Sequence, residues 1–278
     1  MTKVRFMSPL AETIIFVSIG AVFIVGLSLA FDPFGSPTAS GSTRAEKPTV
    51  VLVHGAFADA SGWEQVIERL QKDGYPVIAP ANPLRSLSGD SEYLKSILDQ
   101  IAGPIVLVGH SYGGAVITNA AAGNSNVKAL VYIDGLIPDV GEDGIHLAGE
   151  GSQVPTSIVP KPFPPFGPND LDFYIRQDVF REVFSADVSA RTAAMMWASQ
   201  RPAAAATLGE LTTAAAWQTI PSWAMIGRQD RIITPDALRF LATRAGSTIV
   251  EINSSHVPMI SHPNKVTDLI NEAAAANK

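Results

Sequence analysis

Cysteine is missing from all 278 residues, which excludes disulfides, thiolate metal sites, a cysteine nucleophile and a lipid-modified N-terminal cysteine. Charge is scarce too, at 17% of residues, and Lys and Arg nowhere cluster. With a net charge of −6 and a pI near 5.3, the chain lacks the basic face that a nucleic-acid partner requires. His146 and His262 have no partners at metal-ligand spacing and read as surface residues. Neither a metal nor a cofactor is expected. No internal repeat is visible. Apolar residues are what the chain has in quantity, at 46%, enough for one large domain or one domain with an insertion.

The N-terminus is the longest apolar run. Lys3 and Arg5 precede a charge-free stretch from Thr13 to Phe31 rich in Ile, Val and Phe, close to the ~20 residues a helix needs to span a bilayer. Two readings stay open: an uncleaved anchor with its positive charges inside, and a signal peptide cut near Ser28-Leu29-Ala30. The long apolar stretch favours the anchor. Residues 1–31 are therefore expected to place the rest of the chain outside the cytoplasm, tethered to the membrane or, after cleavage, secreted or periplasmic. Residues 32–47, with their Pro, Gly, Ser and Thr, read as a flexible linker.

From Pro48 onward strands and helices alternate. The apolar, β-branched runs Thr49–Val53, Val77–Ala79, Ile105–Val108 and Val127–Ile133 are the pattern of strands buried on both faces of a parallel sheet. Between them Trp63, Val66, Ile67 and Leu70, then Leu94, Ile97, Leu98 and Ile101, then residues 112–122 fall at helical spacing. This is an α/β class chain with a doubly wound, mostly parallel sheet. The rhythm breaks after Pro138. Residues 140–216 hold a Pro-rich stretch from Lys161 to Pro168, several helical runs and no buried strand. They are expected to form a helical cap over the strand ends, with a separate helical domain as the alternative. The alternation resumes with Ser222–Ile226, a helix announced by Thr234 and Pro235, the strand Thr248–Ile252 and a closing helix. Residues 48–139 and 217–278 are thus expected to make the core.

Doubly wound sheets bind ligands beyond the carboxyl ends of their strands, and the chemically interesting residues fall there. Gly109-His-Ser-Tyr-Gly113 is a G-x-S-x-G run between a buried strand and an Ala-rich helix. A serine so placed sits on a strained turn with its hydroxyl clear of the backbone. A serine hydroxyl attacks well only if an imidazole takes its proton, and the imidazole needs a carboxylate to fix its tautomer. Ser111, Asp230 and His256 stand after successive strands in the expected order. Asp134, also at a strand end, competes with Asp230 for the acid. The amides of Tyr112 and Ala56 are placed to receive an oxyanion. His54 and His110 read as structural. Phe57 and Trp197 are the candidates for touching substrate, the other aromatics of the insertion reading as its own core.

Four motifs in order, His54-Gly-Ala-Phe57, Gly109-His-Ser-Tyr-Gly-Gly114, Gly227-Arg-Gln-Asp-Arg231 and His256-Val-Pro-Met259, resemble the α/β-hydrolase superfamily. The likeness runs from about Pro48 to Ala275, less most of the insertion. It is nearest to the carboxylesterase branch that includes plant methyl-ester hydrolases and hydroxynitrile lyases. The resemblance implies an α/β-hydrolase fold with a capping insertion, Ser111 as nucleophile, His256 as base, Asp230 as acid, and Ala56 and Tyr112 as oxyanion donors. Lyases of this branch place lysine directly after the histidine, where this chain has Val257. Haloperoxidase-like relatives carry methionine after the nucleophile, where it has Tyr112. The expected activity is hydrolysis of a small-molecule ester. Amide, lactone and C–C hydrolysis, or a non-catalytic binder on the same fold, remain alternatives, and the oligomeric state is open.

Overall fold

The computed structural model describes residues 47–163 and 171–276. Thr49–Val53 (β1), Ile105–His110 (β3) and Val127–Ile133 (β4) are almost wholly buried along their lengths, because continuous apolar runs can be covered on both faces only inside a parallel sheet. Between β1 and β3 in the chain lies the two-residue strand Val77–Ile78 (β2). Val50, Val51, Leu52, Leu107, Leu130 and Val131 expose no surface, and each contributes about 1.5–3 kcal/mol by its burial.

With Ser222–Gly227 (β8) and Thr248–Ile252 (β9), these strands form a six-stranded sheet ordered β2-β1-β3-β4-β8-β9, parallel throughout. The edge strands β2 and β9 are the exposed ones. The register sets Val53 beside Gly109, His110 beside Ile133 and Gly227 beside Ile252, so the carboxyl ends share one rim. The strand order reverses between β1 and β3, the switch point where such sheets take ligands.

Helices close both faces. Ser86 caps the helix Leu87–Leu98 by accepting from the Gly89 amide at 3.0 Å, and Thr234 with Pro235 starts the helix Pro235–Arg244, as the sequence announces. The helix Tyr112–Ala120 leaves β3 with nearly every residue buried. It packs so tightly that a Cβ at Gly113 would lie 2.5 Å from the Val53 carbonyl oxygen. Gly113→Ala is therefore expected to cost about 1–3 kcal/mol, read as a lowered urea midpoint with an unchanged slope.

Residues between β4 and β8 form the insertion. Its helices Gln177–Phe184 and Ala190–Ser199 are joined by a small antiparallel sheet of Ile158–Pro162 (β5), Leu171–Ile175 (β6) and Ala203–Ala204 (β7). These strands escape the sequence pattern for physical reasons. β5 is half-buried to exposed and holds Pro160 and Pro162, and β6 buries only Asp172 and Ile175. Arg85 ties the insertion to the core, reaching the Asp172 carboxylate at 2.8 Å and the Pro202 carbonyl at 3.2 Å.

The expectation of an exported, membrane-tethered protein is corrected. Among the described residues no helix is long and apolar enough to cross a membrane. The apolar run on which the expectation rested, residues 13–31, lies outside the described residues, as do all but the last residue of the linker 32–47. Apolar length is needed for a span but does not by itself make one, so neither the anchor nor the extracytoplasmic placement has structural support.

Candidate active site

The rim is built from strained backbone. Phe57 beyond β1, Ser111 beyond β3 and Asp134 beyond β4 have φ of 60°, 52° and 41°, in the region where side chains other than glycine cost about 1–3 kcal/mol each. At Ser111 the strand turns into the helix Tyr112–Ala120 within one residue. Gly55 lets the β1 loop run directly past this turn, since a Cβ there would stand 2.6 Å from that of Ser111.

His256 lies between the serine and an acid. Its Nε2 is 2.8 Å from Ser111 Oγ and its Nδ1 is 2.6 Å from Asp230 Oδ2. The other Asp230 oxygen accepts the amides of Ile232 at 2.7 Å and Ile233 at 3.1 Å. An Asp230 carboxylate with those donors fixes the proton of His256 on Nδ1 and leaves Nε2 to accept from the serine hydroxyl. His256 is fully buried, and burial holds its pKa down, to about 3. The other candidate acid, Asp134, is also fully buried but accepts the Gly227 amide at 2.6 Å. The geometry pairs His256 with Asp230.

The imidazole is held from several sides. His110 Nε2–H donates to the His256 carbonyl at 2.7 Å, and its ring centroid lies 4.8 Å from that of His256. Phe184, from the insertion, packs at 5.1 Å with its ring at 63° to the imidazole. Ser255 Oγ donates to the Asp187 carboxylate, also of the insertion. His54 is committed elsewhere, Nδ1–H donating to the Gly55 carbonyl at 2.9 Å while Nε2 accepts the Asn82 amide at 2.9 Å. His146 pairs with Asp143 at the surface.

A cavity of about 410 Å³ opens at Ser111. Ala56, Phe57 and Tyr112 line it from the core, and Ile145, Val154, Phe173 and Leu208 from the insertion. Among the described residues no charged side chain lines it. The Ala56 and Tyr112 amides donate to no other backbone group among the described residues, so both are available beside the serine. The Tyr112 phenol instead points to the buried Asp90, donating at 2.8 Å, and burial raises its pKa far above the ordinary value. Trp197 is half-buried on the helix Ala190–Ser199 and is not among the residues lining this cavity.

Phe184, Asp187 and Asp90 were not singled out from the sequence as site residues. Asp90 sits in a polar helical turn with nothing to mark it as buried, and Asp187 lies in an irregular joint of the insertion. Phe184 follows Val183 on a helical run, a signal for packing that does not say against what.

A serine on a strand-to-helix turn at the switch point of a parallel sheet, bonded to an imidazole and a carboxylate from the last two strand ends, defines the nucleophile-elbow class of α/β proteins. The alpha/beta hydrolase family matches residues 50–269, and the chain belongs to that family and is a hydrolase-type enzyme. It is similar to an alpha/beta hydrolase of Aspergillus novofumigatus, 26% identical over 252 residues that cover 82% of this chain and 97% of that one. It also resembles a carbendazim-hydrolyzing esterase of Nocardioides, 30% identical over 128 residues covering 41% and 48% of the two chains. Among solved structures, a pyrethroid hydrolase from Sphingobium faniae matches with a TM-score of 0.69 and 19% identity, covering 82% of this chain and 98% of that one. A variant of tomato methylketone synthase I matches at 0.71 and 20%, covering 84% and 99%. At these identities the solved structures speak for the shared fold.

Proposed function

We propose that this enzyme hydrolyses small, neutral carboxylic esters through an acyl-enzyme on Ser111. The carrying observation is the unbroken line from Ser111 Oγ through His256 to Asp230, with steps of 2.8 and 2.6 Å, at an apolar cavity. Ser111 Oγ attacks the carbonyl carbon while His256 Nε2 takes the hydroxyl proton. The negative oxygen that develops faces the Ala56 and Tyr112 amides. His256 then gives its proton to the departing alcohol, and the same imidazole draws a proton from the water that frees the acid. Asp230 stays ionised and steadies the imidazolium.

Residues 140–216 act as the cap of this reading and supply much of the wall around the substrate. The uncharged lining favours an aromatic or a short- to medium-chain aliphatic group over a charged one, because a buried charge there would find no partner. Phe57, on the cavity wall, is the proposed aromatic contact. The esterase among the curated relatives supports the choice of bond.

Turnover of p-nitrophenyl acetate and butyrate by the full chain, beside an anilide and a lactone, tests the assignment. Esters should dominate, and Ser111 should be labelled by a fluorophosphonate. A chain that neither turns over esters nor takes the label would sink it. Because burial keeps His256 neutral below its ordinary pKa of 6.5, the acid limb of kcat/KM is expected below pH 6.5. A limb above that value would contradict the reading.

A further inference from the structure

Asp134 is the buried carboxyl that the reaction above leaves without a task. Its Oδ1 accepts the Gly227 amide, while Oδ2 has no hydrogen-bond partner among the described residues. One carboxyl oxygen of Asp134, one of Asp230 and one ring nitrogen of His256 lie within 4.8 Å of one another. All three side chains are shut off from solvent.

Two carboxylates this close and this dry cannot both carry a negative charge, so one of them keeps a proton. The hydrogen bonds decide which. Asp230 accepts from three donors, the Ile232 and Ile233 amides and His256 Nδ1–H. Asp134 accepts from one. Three donors stabilise an anion far better than one, and a proton on Asp230 Oδ2 would collide with the one that His256 directs there. The free oxygen of Asp134 is where a hydrogen has room. Burial pushes both carboxyls upward; at Asp230 the Ile232 and Ile233 amides oppose it, while at Asp134 the acidic neighbours Asp230 and Asp187 add to it.

We propose that Asp134 is a neutral positioning residue whose Oδ2–H braces the strand ends carrying Asp230 and His256, leaving one negative charge in the site, on Asp230. A methyl at Gly227 would stand 2.8 Å from Asp134 Oδ2 and equally from the Ser254 and Ser255 carbonyl oxygens, so the three oxygens surround one small space beside Gly227, and those carbonyls are the acceptors proposed for that hydrogen. The unusual backbone fits, since a φ of 41° is reached most readily by Asp, Asn and Gly.

The kinetic part of the test rests on the proposed ester hydrolysis; the spectroscopic part does not. Infrared difference spectra of the full chain at neutral pH should contain the carbonyl band of a protonated, buried carboxylic acid, and Asp134→Asn should remove it. Asp134→Ala, which deletes the brace, should lower kcat by about 10- to 100-fold with little change in KM. Asp134→Asn puts an amide N–H where the O–H was and should recover most of that loss, to within about 5-fold of the parent. The proposal fails if the band is missing, or if Asp134→Asn is as inactive as Asp230→Asn, which would make Asp134 the working anion. It also fails if a chelator abolishes activity and a divalent cation restores it, since a metal would then fill the place given to the proton. Should Asp134→Ala not fold, the band and the asparagine variant still decide the matter. Ester turnover surviving in Ser111→Ala would undo the hydrolytic reading and leave the infrared result standing.

Discussion

Ser111→Ala is expected to lower kcat on p-nitrophenyl butyrate by about 10⁶-fold, the scale of loss when a nucleophile wired to its base is deleted. His256 Nε2 is aimed at Ser111 Oγ at 2.8 Å, and among the described residues it hydrogen-bonds to no other hydroxyl. The residual rate should come from the Ala56 and Tyr112 amides and from substrate binding alone. Alanine removes one atom from a residue already held at φ 52°, so the fold should persist, with an unchanged circular dichroism spectrum and a similar melting temperature. Loss of the fluorophosphonate label should accompany the loss of rate. A variant that folds and still turns over the ester at a tenth of the parent rate would show that the acyl group travels elsewhere.

Asp230→Asn is the second large effect, about 10⁴-fold in kcat at neutral pH, and the hydrogen bonds predict its mechanism. The side-chain oxygen that accepts the Ile232 and Ile233 amides must remain an oxygen. The new NH2 group therefore faces His256 Nδ1, where a carboxylate oxygen stood at 2.6 Å. Two donors cannot share that contact, so the imidazole moves its proton to Nε2 and presents it to Ser111. A ring in that tautomer cannot accept the serine hydroxyl proton. The matching check is a folded protein of near-parental stability whose slow turnover is joined by slow fluorophosphonate labelling. If the asparagine variant keeps a tenth of the activity, Asp230 is not the partner on which the imidazole depends.

Much of this arrangement was legible in the chain because the physics was local or periodic. Short, β-branched apolar runs such as Thr49–Val53 read as strands covered on both sides, and alternation with helices leaves few topologies. Ser111 was marked by the small residues its sharp turn demands. Asp230 and His256 are 26 residues apart, yet each follows one of two neighbouring parallel strands, β8 and β9, so topology brings them to one rim. The choice between Asp230 and Asp134 was not local. Both follow strands, and only the path of the Asp230 loop, which brings two amides to one oxygen, separates them. The insertion was read least fully. β5 to β7 are short and partly exposed, and Phe184 and Asp187 matter through contacts with His256 and Ser255 that no spacing encodes. The apolar run of residues 13–31 shows the reverse error, in which a strong local pattern was given a destination that hydropathy alone does not establish.

The positive φ angles beyond β1, β3 and β4 carry an engineering consequence. Libraries screened for heat tolerance should find little at residues 57 and 134: glycine there would ease the backbone, but it would also empty the buried space that Phe57 fills and remove the hydrogen bond Asp134 accepts from Gly227. Variants at those positions should therefore be less stable as well as slower, because the side chains held on the tense backbone are also part of the packing behind the rim. Robustness is better sought at the exposed edge strands and helix ends, away from this rim.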